Sequence, residues 1–179
     1  MNILAMGASH SRHSINRKFA NYVAQRISNG GHEVKLLDLN DYSVPIFTVD
    51  VESEYGYNDD MKAFLKEFER ADVIVISFAE HNGSYAASFK NLFDWASRIN
   101  PKMFGNKPCI FLSTSTGGRG GISVLTQALT RMPFHGAQVL GSFSLPKFDE
   151  NFTEDGILDM ELDERLQEFI HDINQKLMG

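Results

Sequence analysis

Apolar residues along the chain follow two rhythms. Short, nearly unbroken apolar runs recur at residues 2–6 (NILAM), 33–37 (EVKLL), 73–77 (VIVIS), 109–113 (CIFLS) and 137–145, the last interrupted by Gly141. Runs of this length, bounded by polar or glycine-bearing turns, predict strands, and the most continuous of them predict strands buried on both faces. Between the runs, apolar positions recur at three and four. They are Phe19, Tyr22, Val23 and Ile27 within 15–28, then Met61, Phe64, Leu65 and Phe68 within 59–70, then Phe89, Leu92, Phe93 and Ala96 before Arg98. A further helix is expected over 122–132. A closing one over 158–177 turns Leu162, Leu166, Phe169, Ile170 and Ile173 inward.

Five strands alternating with helices predict an α/β protein with a parallel, doubly wound sheet, laid out as a single domain over residues 1–179. Right-handed crossovers leave few arrangements. The order 2-1-3-4-5 sets the first, third and fourth strands side by side, so that the loops at their carboxyl ends converge on one site.

Those three loops share a chemistry. The first, Gly7 to Ser14, is crowded with hydroxyls and runs into the helix that starts at Ile15. Free N–H groups and the dipole at a helix start favour an anion. Ser9, Ser11, Ser14 and Asn16 add side-chain donors, and Arg12 a charge-assisted one. The loop is neither a Walker A sequence nor GxGxxG, and its serines suit a dianionic monophosphate where a pyrophosphate calls for several glycines. Taken alone, Ser14 as a plain N-cap and Arg12 as a solvated charge explain the same residues. His10 and His13 have no companions at metal-ligand spacing, so no metal site is expected.

The second loop is Glu80-His81-Asn82-Gly83-Ser84. The third is Ser113-Thr-Ser-Thr-Gly-Gly-Arg-Gly-Gly121, with four glycines in its last five residues. Those glycines either let the backbone approach a planar ligand or make a flexible turn. A ligand meeting all three loops has a phosphate at 9–16, a planar polar ring at 80–84 and a ring edge or carbonyl at 115–118. FMN meets each requirement, and its ring carries the redox chemistry itself. The chain accordingly shows no convincing catalytic triad or carboxylate dyad.

Charge and composition narrow the classes further. A net charge of −6 over 179 residues, with no basic stripe, excludes a nucleic-acid footprint. The single Cys109 lies in an apolar run and reads as a small core residue in a reducing compartment. The amino terminus lacks a signal-peptide pattern and no apolar run is long enough to span a membrane, so a cytoplasmic location is expected.

The three loops also resemble the motifs of the NADPH-dependent FMN reductase family, the flavodoxin-like quinone, azo and FMN reductases. Gly7-Ala-Ser-His-Ser-Arg-His-Ser-Ile-Asn16 is similar to the family's G-S-x-R-x-x-S-x-N. Ser9, Ser14 and Asn16 keep their spacing, while Arg12 falls one position late and Ser11 stands in the arginine place. Ala79-Glu-His-Asn-Gly-Ser84 followed by Lys90-Asn-Leu-Phe-Asp-Trp95 resembles P-E-Y-N-x-S and x-K-N-x-x-D-W, with Ala79 for proline and His81 for tyrosine. Residues 113–121 resemble S-x-S-P-G-G-x-G-G, with Thr116 for proline.

The resemblance implies a flavodoxin-like three-layer sandwich with sheet order 2-1-3-4-5. It implies that Ser9, Ser11, Arg12, Ser14, Ile15 and Asn16 hold the FMN phosphate. Glu80, His81, Asn82, Gly83 and Ser84 would line the ring, and Ser115, Gly117 and Gly118 would meet its pyrimidine side. NADPH or NADH is then the co-substrate, giving hydride to flavin N5. A quinone, azo compound, flavin or similar small molecule accepts the electrons from the same face, by a ping-pong mechanism. A homodimer or homotetramer is implied, with the flavin near the subunit interface. The acidic and aromatic segment 46–57 is expected as a long loop, either a solvated excursion or a cover for a neighbouring subunit's flavin. His81 is expected either as a neutral imidazole packed at the ring or as a protonatable group tuning the flavin. Trp95 is expected to pack rather than stack on ligand. The alternative class is a flavodoxin-type single-electron carrier between protein partners.

Overall fold

The computed structural model describes residues 1–178. Its main sheet is five parallel strands: β1 (Asn2–Ala8), β2 (Glu33–Leu37), β3 (Val73–Phe78), β6 (Lys107–Thr114) and β7 (Ala137–Leu145). They lie in the order β2-β1-β3-β6-β7, which is the expected 2-1-3-4-5. The short strands β4 (Glu80–His81) and β5 (Ser84–Tyr85) form a separate antiparallel hairpin.

Successive strand side chains point to opposite faces, and both faces are apolar. Leu4, Met6, Ile74, Ile76, Phe78 and Phe111 pack on one side against helices α3 (Asp59–Arg70), α4 (Ala87–Ile99) and α5 (Ile122–Arg131). Ile3, Ala5, Val73, Val75, Ile110 and Leu112 pack on the other against α1 (Ile15–Ser28) and α7 (Met160–Met178). This double burial is why the strands read as unbroken apolar runs. The helices on each face close parallel strand pairs by crossovers.

Near Gly141 the strand bulges rather than breaking, with a register shift between Cys109 and Ile110 of its partner. A Cβ at Gly141 would stand 2.8 Å from a ring carbon of Phe169 and 2.9 Å from Ile173 Cδ1, so the glycine lets α7 close onto β7.

Two segments differ from expectation. Residues 46–57 are not an open loop, because they contain α2 (Val49–Tyr55), capped by Thr48, whose Oγ1 accepts from the Val51 N–H at 3.0 Å, and ended by Gly56 at φ 64°. No residue of α2 is buried, so it has no apolar face for periodicity to reveal. The stretch 146–156, whose polar composition predicts a loop, likewise contains α6 (Phe148–Asn151), a single turn.

Candidate functional site

A cleft of about 310 Å³ opens where the carboxyl ends of β1, β3 and β6 stand together, and all three sequence loops contribute to its lining. The first loop begins with a close approach. A Cβ at Gly7 would lie 2.3 Å from Arg17 N and 2.6 Å from Arg17 Cα, so only glycine lets the start of α1 settle against β1. Ser14 caps the helix, its Oγ accepting from the Arg17 N–H at 3.1 Å. Ser9 Oγ accepts from the Ser11 N–H at 3.2 Å and Ser11 Oγ from the His13 N–H at 3.3 Å. Each hydroxyl oxygen thus accepts one bond from within the loop, and the three hydroxyl protons are left to donate. The N–H groups of Ile15 and Asn16, the first two of the helix, have no acceptor among the described residues, and both residues line the cleft. Hydroxyls, free amides and a helix start are the donor set that a phosphate monoester takes.

Two members of the loop do other work. The Asn16 side chain is buried and committed: Nδ2 donates to Thr114 O at 3.1 Å, while Oδ1 accepts from Thr114 N–H at 3.1 Å and Ser77 Oγ at 2.7 Å. Only its main-chain N–H remains for a ligand. Arg12 does not line the cleft and lies in an adjoining concavity with Arg17 and Lys18.

The second loop is the β4–β5 hairpin, turned by Asn82 at φ 51° and Gly83 at φ 76°. Two successive positive φ values are the hairpin turn that Asn-Gly favours, a signal present in the sequence. Glu80 and His81 line the cleft, His81 exposed and Glu80 half-buried. The Glu80 carboxylate accepts the Val124 N–H at 3.0 Å and so caps α5 across the cleft wall. Gln127 of α5 binds the hairpin twice, accepting from Ser84 Oγ at 3.0 Å and donating to Gly83 O at 2.8 Å. Asn82, Gly83 and Ser84 therefore face α5 and solvent and do not line the cleft. Beneath them Tyr85 packs between Phe78 and Phe89, and burial pushes its hydroxyl pKa up to about 12.

The third loop is fixed, not a flexible turn. Gly117 O accepts from Gly120 N at 3.3 Å, from Lys147 N at 3.0 Å and from Ser115 Oγ at 3.2 Å. Ser113 Oγ and Ser144 Oγ both donate to Gly120 O, at 2.7 and 2.9 Å. Ser115 lines the cleft, whereas Gly117 and Gly118 do not. Sequence reasoning missed four lining residues, His13, Ala79, Thr114 and Thr116. Each lies inside or beside a motif, so adjacency was the only signal for them.

Segment 46–57 docks on α4 of its own chain. Trp95 Nε1 donates to Pro45 O at 2.8 Å and Phe47 N to Asn91 Oδ1 at 2.8 Å, with Phe47 edge-on to Trp95 at 4.9 Å. Trp95 is fully buried, a packing residue. The Glu52 carboxylate, accepting from Arg98 Nε at 2.9 Å and Tyr57 OH at 2.7 Å, is held below the usual carboxylate range. Ile46, Val49 and Tyr55 stay outside, 80%, 68% and 73% exposed. Among the described residues no cluster of three or more His, Cys, Asp or Glu is placed to hold a metal, and no helix is long and apolar enough to cross a membrane.

Fold and topology together define a flavodoxin-like α/β protein with a cleft at the carboxyl edge of the sheet. The chain belongs to the NADPH-dependent FMN reductase family, whose model matches residues 1–150. A quinone reductase of Escherichia coli K12 is 30% identical over 97 residues, 54% of this chain and 47% of that protein. An NAD(P)H-dependent FMN reductase of Pseudomonas aeruginosa is 31% identical over 90 residues, 50% of this chain and 47% of that protein. The matches thus span about half the length of these relatives. Among solved structures, the flavoenzyme NAD(P)H:(acceptor) oxidoreductase FerB of Paracoccus denitrificans superposes with a TM-score of 0.75 at 22% identity, covering 97% of this chain and 95% of that one. That likeness speaks to the fold.

Proposed function

We propose that the protein is an NAD(P)H-dependent oxidoreductase that binds FMN in this cleft and reduces a quinone, azo compound, flavin or similar small acceptor. The observation that carries the reading is the outward-facing donor set of Ser9, Ser11, Ser14, Ile15 N–H and Asn16 N–H, set in one cleft with His81 and Ser115. That set fits the phosphate of FMN. The hairpin and the fixed loop 113–121 supply walls for a ring, the Glu80 and Ser115 side chains being held in place by Val124 and Gly117. A cleft of about 310 Å³ stands at the lower end of the range for ligand sites, about 300–1,000 Å³, and leaves part of a flavin uncovered.

When bound, FMN supplies the hydride-accepting and hydride-donating chemistry. The chain's own residues would bind the phosphate and wall the ring, leaving part of it open to substrates. Donor and acceptor then use the same open space in turn, which gives ping-pong kinetics. Orientation, more than acid–base help, is what such a site provides. The exposed position of His81 on the cleft wall supports contact with the ring or the incoming substrate.

The exposed Ile46, Val49 and Tyr55 beside a docked segment support assembly into a homodimer or homotetramer. A buried, reduced Cys109, its thiol pKa pushed up to about 12 by burial, suits a cytoplasmic protein.

Anaerobic stopped-flow reduction by NADH and by NADPH, followed at the flavin absorbance band, tests the reading. Rapid bleaching by either nucleotide in one two-electron phase is the expected result and identifies the donor. A yellow protein inert to both nucleotides but stable when half-reduced would replace the reductase with an electron carrier. A protein that cannot be loaded with FMN would end the flavin reading.

A further inference from the structure

The phosphate end of the cleft is not closed. His13 and Ser14 line both the cleft and a second concavity of about 150 Å³, whose other charged and polar walls are Arg12, Arg17, Lys18 and Asn21. Residues 10–18, HSRHSINRK, carry three cations and two histidines and no carboxylate, in a chain of net charge −6. Arg17 has one distant carboxylate partner, Asp38 at 3.7 Å, and its buried Nε has no acceptor. Arg12 and Lys18 have no carboxylate within salt-bridge distance among the described residues.

A lone phosphate monoester is already served by the hydroxyls and amides of the cleft. The cations stand one step beyond it, around a space too small for a nucleoside but sufficient for one more phosphate. Because the two spaces share His13 and Ser14 as a common wall, two linked phosphates can occupy one each: the first at Ser9, Ser14 and the helix start, the second among Arg12, Arg17 and Lys18. The serine-rich loop lacks the glycines that cradle a pyrophosphate with backbone amides, and here side-chain cations take that part. Past Lys18 and Asn21, which line both, lies a further groove of about 390 Å³ bearing Arg26, Phe152 and Tyr22, with Glu154 as its one carboxylate. Arg26 stacks on the Tyr22 ring at 3.4 Å, leaving a flat cationic face toward which a base could extend.

Resting on the flavin reading above, we propose that the site accepts a flavin dinucleotide as well as FMN, its second phosphate held by Arg12, Arg17 and Lys18. The test is titration of the flavin-free protein with FMN and with FAD, read by quenching of flavin fluorescence. It is made on the wild type and on Arg12→Gln and Lys18→Gln, both exposed positions where folding is not at issue. FAD is expected to bind within about threefold of FMN. Each variant is expected to weaken FAD about tenfold, the worth of a charge-assisted contact, and FMN less than twofold.

Tight FMN with FAD weaker by a hundredfold or more would overturn the proposal and leave the FMN reading standing. So would variants that weaken both flavins equally, because the cations would then serve the first phosphate alone. FAD binding that is unchanged in both variants would also overturn it. Failure of both flavins to bind would overturn both readings together. Added NADPH that displaces FAD but not FMN would assign the concavity to the pyridine nucleotide's phosphates and also overturn the proposal.

Discussion

Asn16 and Thr114, 98 positions apart, hold each other by two hydrogen bonds, Asn16 Nδ2 to Thr114 O and Thr114 N to Asn16 Oδ1, each at 3.1 Å. The side-chain amide does what the peptide of an adjoining strand would do, and Ser77 Oγ adds a third bond to the same Oδ1 at 2.7 Å. First loop, central strand and fourth strand meet at this one buried group. Asn16→Ala leaves an N–H, a carbonyl and a hydroxyl without partners in the interior. At about 1–3 kcal/mol for an unsatisfied buried group, less some relaxation, we expect a loss of about 3 kcal/mol in urea unfolding. Asn16→Asp is expected to be no better, since a carboxylate has no proton for the Thr114 carbonyl. FMN affinity falls with both; a variant of wild-type midpoint would show that the junction contributes nothing.

Gly7→Ala is expected to cost more than 2 kcal/mol. The new Cβ meets backbone atoms of Asn16 and Arg17 at 2.3–2.8 Å, so α1 itself must shift. Gly118→Ala is the control, because a Cβ there meets nothing within 4 Å. Its midpoint should stay within about 0.5 kcal/mol of wild type. Equal effects of the two substitutions would contradict the close-approach account.

Glu80→Ala removes the acceptor for Val124 N–H and should cost about 1 kcal/mol, as loss of a helix cap does. Because the same residue lines the cleft, FMN binding should weaken several-fold, while Glu80→Gln keeps an acceptor oxygen and most of the affinity. Fluorescence titration separates the two. An alanine variant that binds FMN as tightly as the glutamine variant would show that the cap does not position the hairpin.

His135 gives the fold a pH dependence. Burial against Phe93 lowers its pKa, and its Nδ1 sits 2.9 Å from Pro101 O while Nε2 has no partner. The folded protein therefore resists protonation more than the unfolded chain does, and the unfolded chain binds more protons in between. Stability is then fully present above the unfolded value of about 6.5 and is lost as pH falls toward the lower folded value. Between pH 7.5 and 5.5 the urea midpoint of the wild type should fall further than that of His135→Gln. Parallel curves would rule the residue out as the source.

Much of the architecture was legible in the chain because the strands are buried on both faces. Runs such as Val73–Ile76 have no other reading once helices flank them, and the apolar spacing with Gly30-Gly31 behind it predicts a helix over Ile15–Ser28, the observed bounds of α1, which Asn29 in the left-handed region ends just ahead of that pair. Helix α2 was not legible: its hold on the protein comes from Glu52, Arg98 and the neighbouring Phe47, not from an apolar face. Residue types pointed to the loops that line the cleft but not to each side chain's bonding. Nothing local distinguishes an asparagine that meets a ligand from one that, like Asn16, bonds to a strand 98 residues away. Likewise Arg12 reads as a phosphate ligand by type, and only the turn of the loop puts it on the far side of His13.

Ser9, Ser11 and Ser14 each accept one bond from inside the loop, which leaves their hydroxyl protons to donate. Three hydroxyl protons beside the free amides of the helix start favour an anion, so the loop sorts visitors by the charge they bring. On the flavin reading, riboflavin brings a neutral hydroxyl where FMN brings a dianion, and a cation meets the positive end of the helix dipole. Admission is decided at the inert end of the molecule, before the reactive ring is ever tested against its walls.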